Sequence, residues 1–140
     1  MPTNSSSGEN LPTFLTNLVQ AGFPSPGEEL DTSPLDTNQL LVRNPAATFF
    51  MRVTGNSMQD AGIYDGDIVV IDKSLQAQDG DIVVAVLNGA YTLKRLRKKG
   101  TLVRLQAENK RFADITMNDG DELTIWGVVT FTLRALRSAH

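Results

Sequence analysis

From Pro45 onward, short runs of β-branched and aromatic residues alternate with turn-forming clusters, and this punctuation restricts the chain to a small antiparallel β fold. Thr48–Thr54, Ile68–Ile71, Ile82–Leu87, Tyr91–Arg97, Leu102–Ala107 and Leu123–Leu133 read as strands. Asp65-Gly66-Asp67, Asp79-Gly80-Asp81, Asn88-Gly89, Lys99-Gly100 and Asn118-Asp119-Gly120 separate them. Asn88-Gly89 lies directly between two strand runs and predicts a tight hairpin. No apolar pattern supports a long amphipathic helix. The expected architecture is mainly β, a compact antiparallel barrel or sandwich. DGDIVV occurs twice, at Asp65–Val70 and Asp79–Val84. It reads as a turn feeding a buried strand, used twice, since two Asp pairs fall short of the ligand count of a calcium loop.

The first 40 residues have a different texture and are expected to form an extended, partly disordered arm, with the folded body spanning residues 41–140. Residues 1–10 are rich in Ser, Asn, Gly and Pro and read as disordered. Leu11, Phe14, Leu15, Leu18 and Val19 suit either one short helical face or an extended apolar segment. Pro24 and Pro26 forbid a regular helix there, so residues 22–40 read as an extended linker.

Charge follows the same division. No Lys or Arg precedes Arg43, whereas Glu9, Glu28, Glu29, Asp31 and Asp36 all do. The net charge of -3 therefore hides an acidic arm beside a mildly basic body. Such an arm suits docking onto the body, and it equally suits keeping a tail solvated. The balance is too weak for strong autonomous DNA binding, so little direct DNA contact is expected. The basic run Lys94–Lys99 reads as a solvated hairpin rim, and Trp126 and Phe131 as core or dimer surface. No apolar run approaches the roughly 20 residues of a membrane span. The opening MPTNSSSGEN lacks the basic segment of a secretory signal, so a cytoplasmic location is expected.

Candidate chemistry narrows by elimination. The chain has no Cys, and its one His is His140, the last residue. Both facts argue against a thiol nucleophile, a Ser-His-Asp triad and a His-based metal site. The glycine patterns of nucleotide-binding loops are missing, and no cofactor or metal is expected. An activated serine would need a lysine as its base. Ser57 stands in Val53-Thr54-Gly55-Asn56-Ser57-Met58, where Gly55 after a strand permits a sharp turn that exposes a hydroxyl. A serine in such a turn can equally do no more than bond the local backbone. Lys94 shares one face of its strand with Thr92 and Leu96. Burial would lower its pKa toward neutrality, and Thr92 could direct the amine. A charged lysine blunting a barrel edge is the alternative.

Gly55-Asn56-Ser57-Met58, Gly62-Ile63, Asp65-Gly66-Asp67, Gly80-Asp81 and Thr92-Leu93-Lys94, in this order and spacing, resemble the LexA-type self-cleaving peptidases. Among these the likeness is strongest to the UmuD-like proteins of SOS mutagenesis. It covers roughly residues 20–137 and includes Gly22-Phe23-Pro24-Ser25-Pro26. The resemblance implies a LexA-like peptidase domain in which Ser57 is the nucleophile, Lys94 the general base and Thr92 the group orienting the lysine. It implies an oxyanion hole from the backbone N–H groups of Asn56 and Ser57, and a cut between Ala21 and Gly22. It also implies stimulation by a RecA–single-stranded DNA filament, followed by homodimeric action with a UmuC-type Y-family polymerase in translesion synthesis.

Two residues depart from the pattern: Asn56 stands where UmuD-like proteins usually carry Asp, and Ala21 where the best-known one carries Cys. Residues 1–19 match only loosely. About 35 residues separate Gly22 from Ser57, ample for cutting in cis and equally for cutting a dimer partner. Two rival readings remain at this level. One is a signal-peptidase-like serine–lysine enzyme acting on other proteins; the other is a non-catalytic barrel that only binds a polymerase.

Overall fold

The computed structural model describes residues 11–15, 32–118 and 120–137. The chain divides into two compact units, Met1–Arg43 and Asn44–His140.

In the first unit, β1 (Thr13–Leu15) pairs antiparallel with β2 (Thr32–Pro34), Thr13 opposite Pro34. The extended alternative for the apolar segment therefore holds at Thr13–Leu15. A one-turn helix, α1 (Thr37–Leu41), follows, and the Asp36 side chain caps it by accepting from the Asn38 N–H at 2.9 Å. The expected linker over 22–40 thus ends in a strand and a helical turn, while residues 22–31 lie outside the described residues. Five residues are too few for a helical period to register, so only the cap could have announced α1.

The second unit is mainly β, as the turn punctuation requires. Its strands are β3 (Thr48–Arg52), β4 (Ile68–Asp72), β5 (Ile82–Leu87), β6 (Ala90–Lys99), β7 (Leu102–Gln106), β8 (Ile115–Thr116) and β9 (Leu123–Leu133). They form one antiparallel sheet in the order β3-β4-β9-β5-β6-β7-β8. Bulges interrupt the pairing of β9 with β4 at Val70/Ile71 and with β5 at Val84/Ala85, which adds twist. β5 and β6 join through Asn88-Gly89, both with positive φ, as a two-residue hairpin requires.

An apolar cluster packs on each face of the sheet. Met58, Ile63, Val69, Ile71 and Val84 form one apolar cluster, and Val83, Ala85, Leu96, Leu105 and Val128 form the other. Adjacent β5 residues point to opposite faces, so a continuous apolar run serves two cores at once. β9 crosses Ile71 at Gly127, where any Cβ would run into the Ile71 side chain.

The DGD repeat is a structural device, and it is used three times. In each copy an Asp carboxylate accepts from the N–H three residues back: Asp67 from Tyr64, Asp81 from Gln78 and Asp121 from Asn118, at 2.7–2.9 Å. Each copy also has a glycine near φ +90° immediately before the Asp. The turns feed β4, β5 and β9.

Asp67 does more than the other two. Its side chain is buried and accepts from Arg134 Nε (2.6 Å), Arg134 Nη2 (2.7 Å) and Thr132 Oγ1 (3.2 Å). Arg134 also donates to Gly62 O at 2.6 Å and lies over the Tyr64 ring. The hydrogen-bonded guanidinium lowers the Asp67 pKa to about 2 from 3.8. A depressed carboxyl pKa contributes stability that is complete above the unfolded value and lost as pH falls through the folded one. Asp67→Asn is expected to cost about 2–3 kcal/mol at pH 7. In acid melts, the gap between wild type and variant should close between roughly pH 4 and pH 2.

Candidate active site

Ser57 lies in the turn after β3, between a left-handed Gly55 (φ +85°) and Met58, which is buried in the first apolar cluster. The turn is fixed on both sides. Asp65 Oδ1 accepts from the Gly55 N–H at 2.8 Å, and Asn56 Oδ1 accepts from the Asp65 N–H at 3.2 Å. The Asn56 side chain thus binds the Asp65 main chain while the Asp65 carboxylate binds the Gly55 main chain. Glu108 N–H donates to Ser57 O at 2.8 Å, and Met58 O accepts from the N–H groups of Ala61 and Ile63. Among the described residues, neither the Asn56 nor the Ser57 N–H donates to a protein acceptor.

Lys94 comes from β6 and is buried. Its Nζ lies 2.8 Å from Thr92 Oγ1, 3.1 Å from Leu93 O and 3.3 Å from Ser57 Oγ. Three of the residues singled out from sequence therefore meet at one nitrogen. No ion pair with Lys94 is formed among the described residues. Burial without a countercharge pushes its pKa down from 10.5. The contacts suit the neutral amine: two N–H groups can donate to Thr92 and Leu93, leaving the lone pair toward the Ser57 hydroxyl. Ser57 and Lys94 open onto a cleft of about 270 Å³ with apolar walls that include Met51, Val53, Val69 and Val84. An extended peptide of small side chains could enter it. Ala21 and Gly22, the expected scissile pair, lie outside the described residues.

Sequence reasoning missed the second support of the Ser57 turn. The loop after β7 carries Glu108 and Asn109, and Asn109 Nδ2 donates to Asn56 O at 2.7 Å across 53 positions of sequence. The Glu108 carboxylate is itself held by Arg95 Nε and by Gln106 Nε2. No local pattern encodes such a contact; only the pairing of β6 with β7 brings it about.

A family model described as Peptidase S24-like matches residues 13–130. Protein MucA of Salmonella typhimurium is 42% identical over 123 residues, covering 86% of this chain and 82% of MucA. Protein SamA of Salmonella typhimurium strain LT2 is 40% identical over 125 residues, covering 89% and 86%. The LexA repressor of Acidithiobacillus ferrooxidans is 44% identical over 123 residues, covering 86% of this chain and 60% of the repressor.

The buried amine has a thermodynamic signature. Its desolvation penalty is present at neutral pH and fades as pH approaches the ordinary lysine value of 10.5, where the unfolded chain also loses the proton. Lys94→Met should therefore be more stable than wild type at pH 7, by about 1 kcal/mol. Denaturant unfolding at a series of pH values should show this advantage shrinking toward pH 10.5.

Proposed function

Because the chain belongs to the S24 family of peptidases, we propose that it is a UmuD-like self-cleaving serine peptidase of the SOS response that cuts its own Ala21–Gly22 bond. Residues 1–40 act as the substrate arm and residues 41–140 as the peptidase and dimerisation domain. The observation that carries the reading is the buried, unpaired Lys94 amine facing Ser57 Oγ and tethered by Thr92. A solvated edge lysine would have no reason to be desolvated at a serine. The likeness to MucA and SamA over most of their lengths supports the mutagenesis branch of the family.

In the proposed mechanism, neutral Lys94 takes the Ser57 proton as Oγ attacks the Ala21 carbonyl carbon. The tetrahedral oxyanion accepts from the Asn56 and Ser57 N–H groups. Collapse breaks the C–N bond, and Lys94 hands its proton to the departing Gly22 amine. Water, deprotonated by Lys94, then hydrolyses the Ser57 ester and regenerates the hydroxyl. Gly22 allows the bend that presents the carbonyl, and Ala21 adds no bulk. Each arm is cut once, so the reaction is a switch. A RecA–single-stranded DNA filament in the cytoplasm favours the docked arm by population shift, and the shortened homodimer joins a UmuC-type Y-family polymerase in error-prone synthesis.

Two outcomes are expected. Self-cleavage of the purified chain should accelerate from pH 7 toward pH 10 as the neutral amine becomes populated; a flat or falling profile excludes Lys94 as the base. With RecA, ATP and single-stranded DNA, mass spectrometry should find a product beginning at Gly22. Ser57→Ala, Lys94→Ala and Gly22→Glu should each abolish that product while the body stays folded; cutting by Ser57→Ala or Lys94→Ala removes the dyad from consideration.

A further inference from the structure

We propose that Asn109 is a positioning residue that aims the Ser57 N–H at the oxyanion, an inference that rests on the self-cleavage reading above. The Asn56 C=O and the Ser57 N–H belong to one planar trans unit and point in opposite directions. Whatever fixes the carbonyl therefore fixes the N–H. Asn109 Nδ2 holds that carbonyl at 2.7 Å, and the Gln59 N–H is a second, longer donor to it at 3.2 Å.

The orientation of the Asn109 amide is set by its own oxygen. Oδ1 accepts from the Arg111 N–H at 3.0 Å, so the NH₂ group is the one that faces Asn56. The loop beneath is held in turn. Glu108 N–H donates to Ser57 O (2.8 Å), Asp60 N–H donates to Glu108 O (2.6 Å), and Arg95 grips the Glu108 carboxylate. Arg95 follows Lys94 directly on β6, and successive side chains of a strand leave opposite faces. One strand thus carries Lys94 to the Ser57 hydroxyl and, through Arg95 and Glu108, braces the Ser57 backbone. Asn109 does not line the cleft onto which Ser57 and Lys94 open, and its side-chain hydrogen bonds go to the Asn56 carbonyl and the Arg111 N–H rather than to the Ser57 or Lys94 side chain. Its influence on the reaction runs through the Asn56–Ser57 peptide alone. Losing one oxyanion donor costs enzymes roughly 100- to 1,000-fold; a donor that remains but is no longer aimed should cost about 10- to 100-fold.

Asn109→Ala removes the donor without adding a charge, and Asn109→Asp removes it while keeping the loop. The carboxylate still accepts from the Arg111 N–H, preserving the loop, but has no proton to give the Asn56 carbonyl. Self-cleavage of the full chain is followed by intact mass from pH 7 to 10.5, beside thermal melts. The expected result is a limiting rate about 10- to 100-fold below wild type, an unchanged pH midpoint and a melting temperature within a few degrees. The pH midpoint is read on Asn109→Ala, because the aspartate's charge itself raises the Lys94 pKa; Asn109→Asp reports the loss of the donor with the loop preserved. A loosened fold would rehydrate Lys94 and move the midpoint to higher pH, and that result overturns the proposal in favour of a structural role. A wild-type limiting rate in the folded variant overturns it outright. An inert wild-type chain would sink the self-cleavage reading and this inference together, whereas an active wild type with an equally active variant sinks this inference alone.

Discussion

Asp67 is where the peptidase unit is tied together. It is a carboxylate with almost no solvent, and Arg134, Thr132 and the Tyr64 N–H all converge on it. Arg134 and Thr132 lie at the end of the last strand, whereas Tyr64 lies in the loop that follows Ser57. Val53 N–H also donates to the Asp67 carbonyl at 2.8 Å, so β3 is bound to the same residue just before the chain turns to Ser57. A buried charge of this kind costs free energy unless each lone pair is satisfied. Here it is satisfied, and the satisfied geometry admits a single arrangement of loop, β3 and β9.

The site beside it is built on the opposite rule. Lys94 is buried with hydroxyl and carbonyl oxygens about it and no carboxylate among the described residues. A carboxylate there would restore stability and would also restore an ordinary lysine pKa, removing the base that the proposed mechanism needs. The fold therefore carries one compensated charge that holds the loop and one uncompensated amine that the proposed chemistry requires. The second is tolerable because strand pairing fixes the Lys94 backbone independently: Lys94 stands opposite Val83 in the β5–β6 register, and Val83 is fully buried.

Much of this could be read from the chain because it is encoded locally. Strand runs of β-branched residues and turns needing positive φ at Gly66, Gly80 and Gly89 are short-range properties, and they came through in the sheet. The convergence of Thr92 and Lys94 is also local, two residues apart on one strand. Three features were hidden for different physical reasons. Helix α1 is too short to show a period. The two-residue strand β8 has no alternation of its own and exists only as an edge partner of β7. The Asn109–Asn56 bond joins residues that only tertiary pairing brings together. The third DGD turn is legible as the turn at Asn118-Asp119-Gly120, but the strand after it lacks the IVV that makes the other two a visible repeat.

The sheet order has a consequence for the newborn chain. β9 is last in sequence yet central in the sheet, between β4 and β5. During synthesis Ser57 leaves the ribosome before Lys94, earlier still than Asn109, and the strand that joins the two halves of the sheet comes after all of them. On the proposed reading, a nascent chain would hold its cleavage site and its serine before the lysine and the sheet that must bring them together. Topology alone would then delay the cut until the final strand is in place.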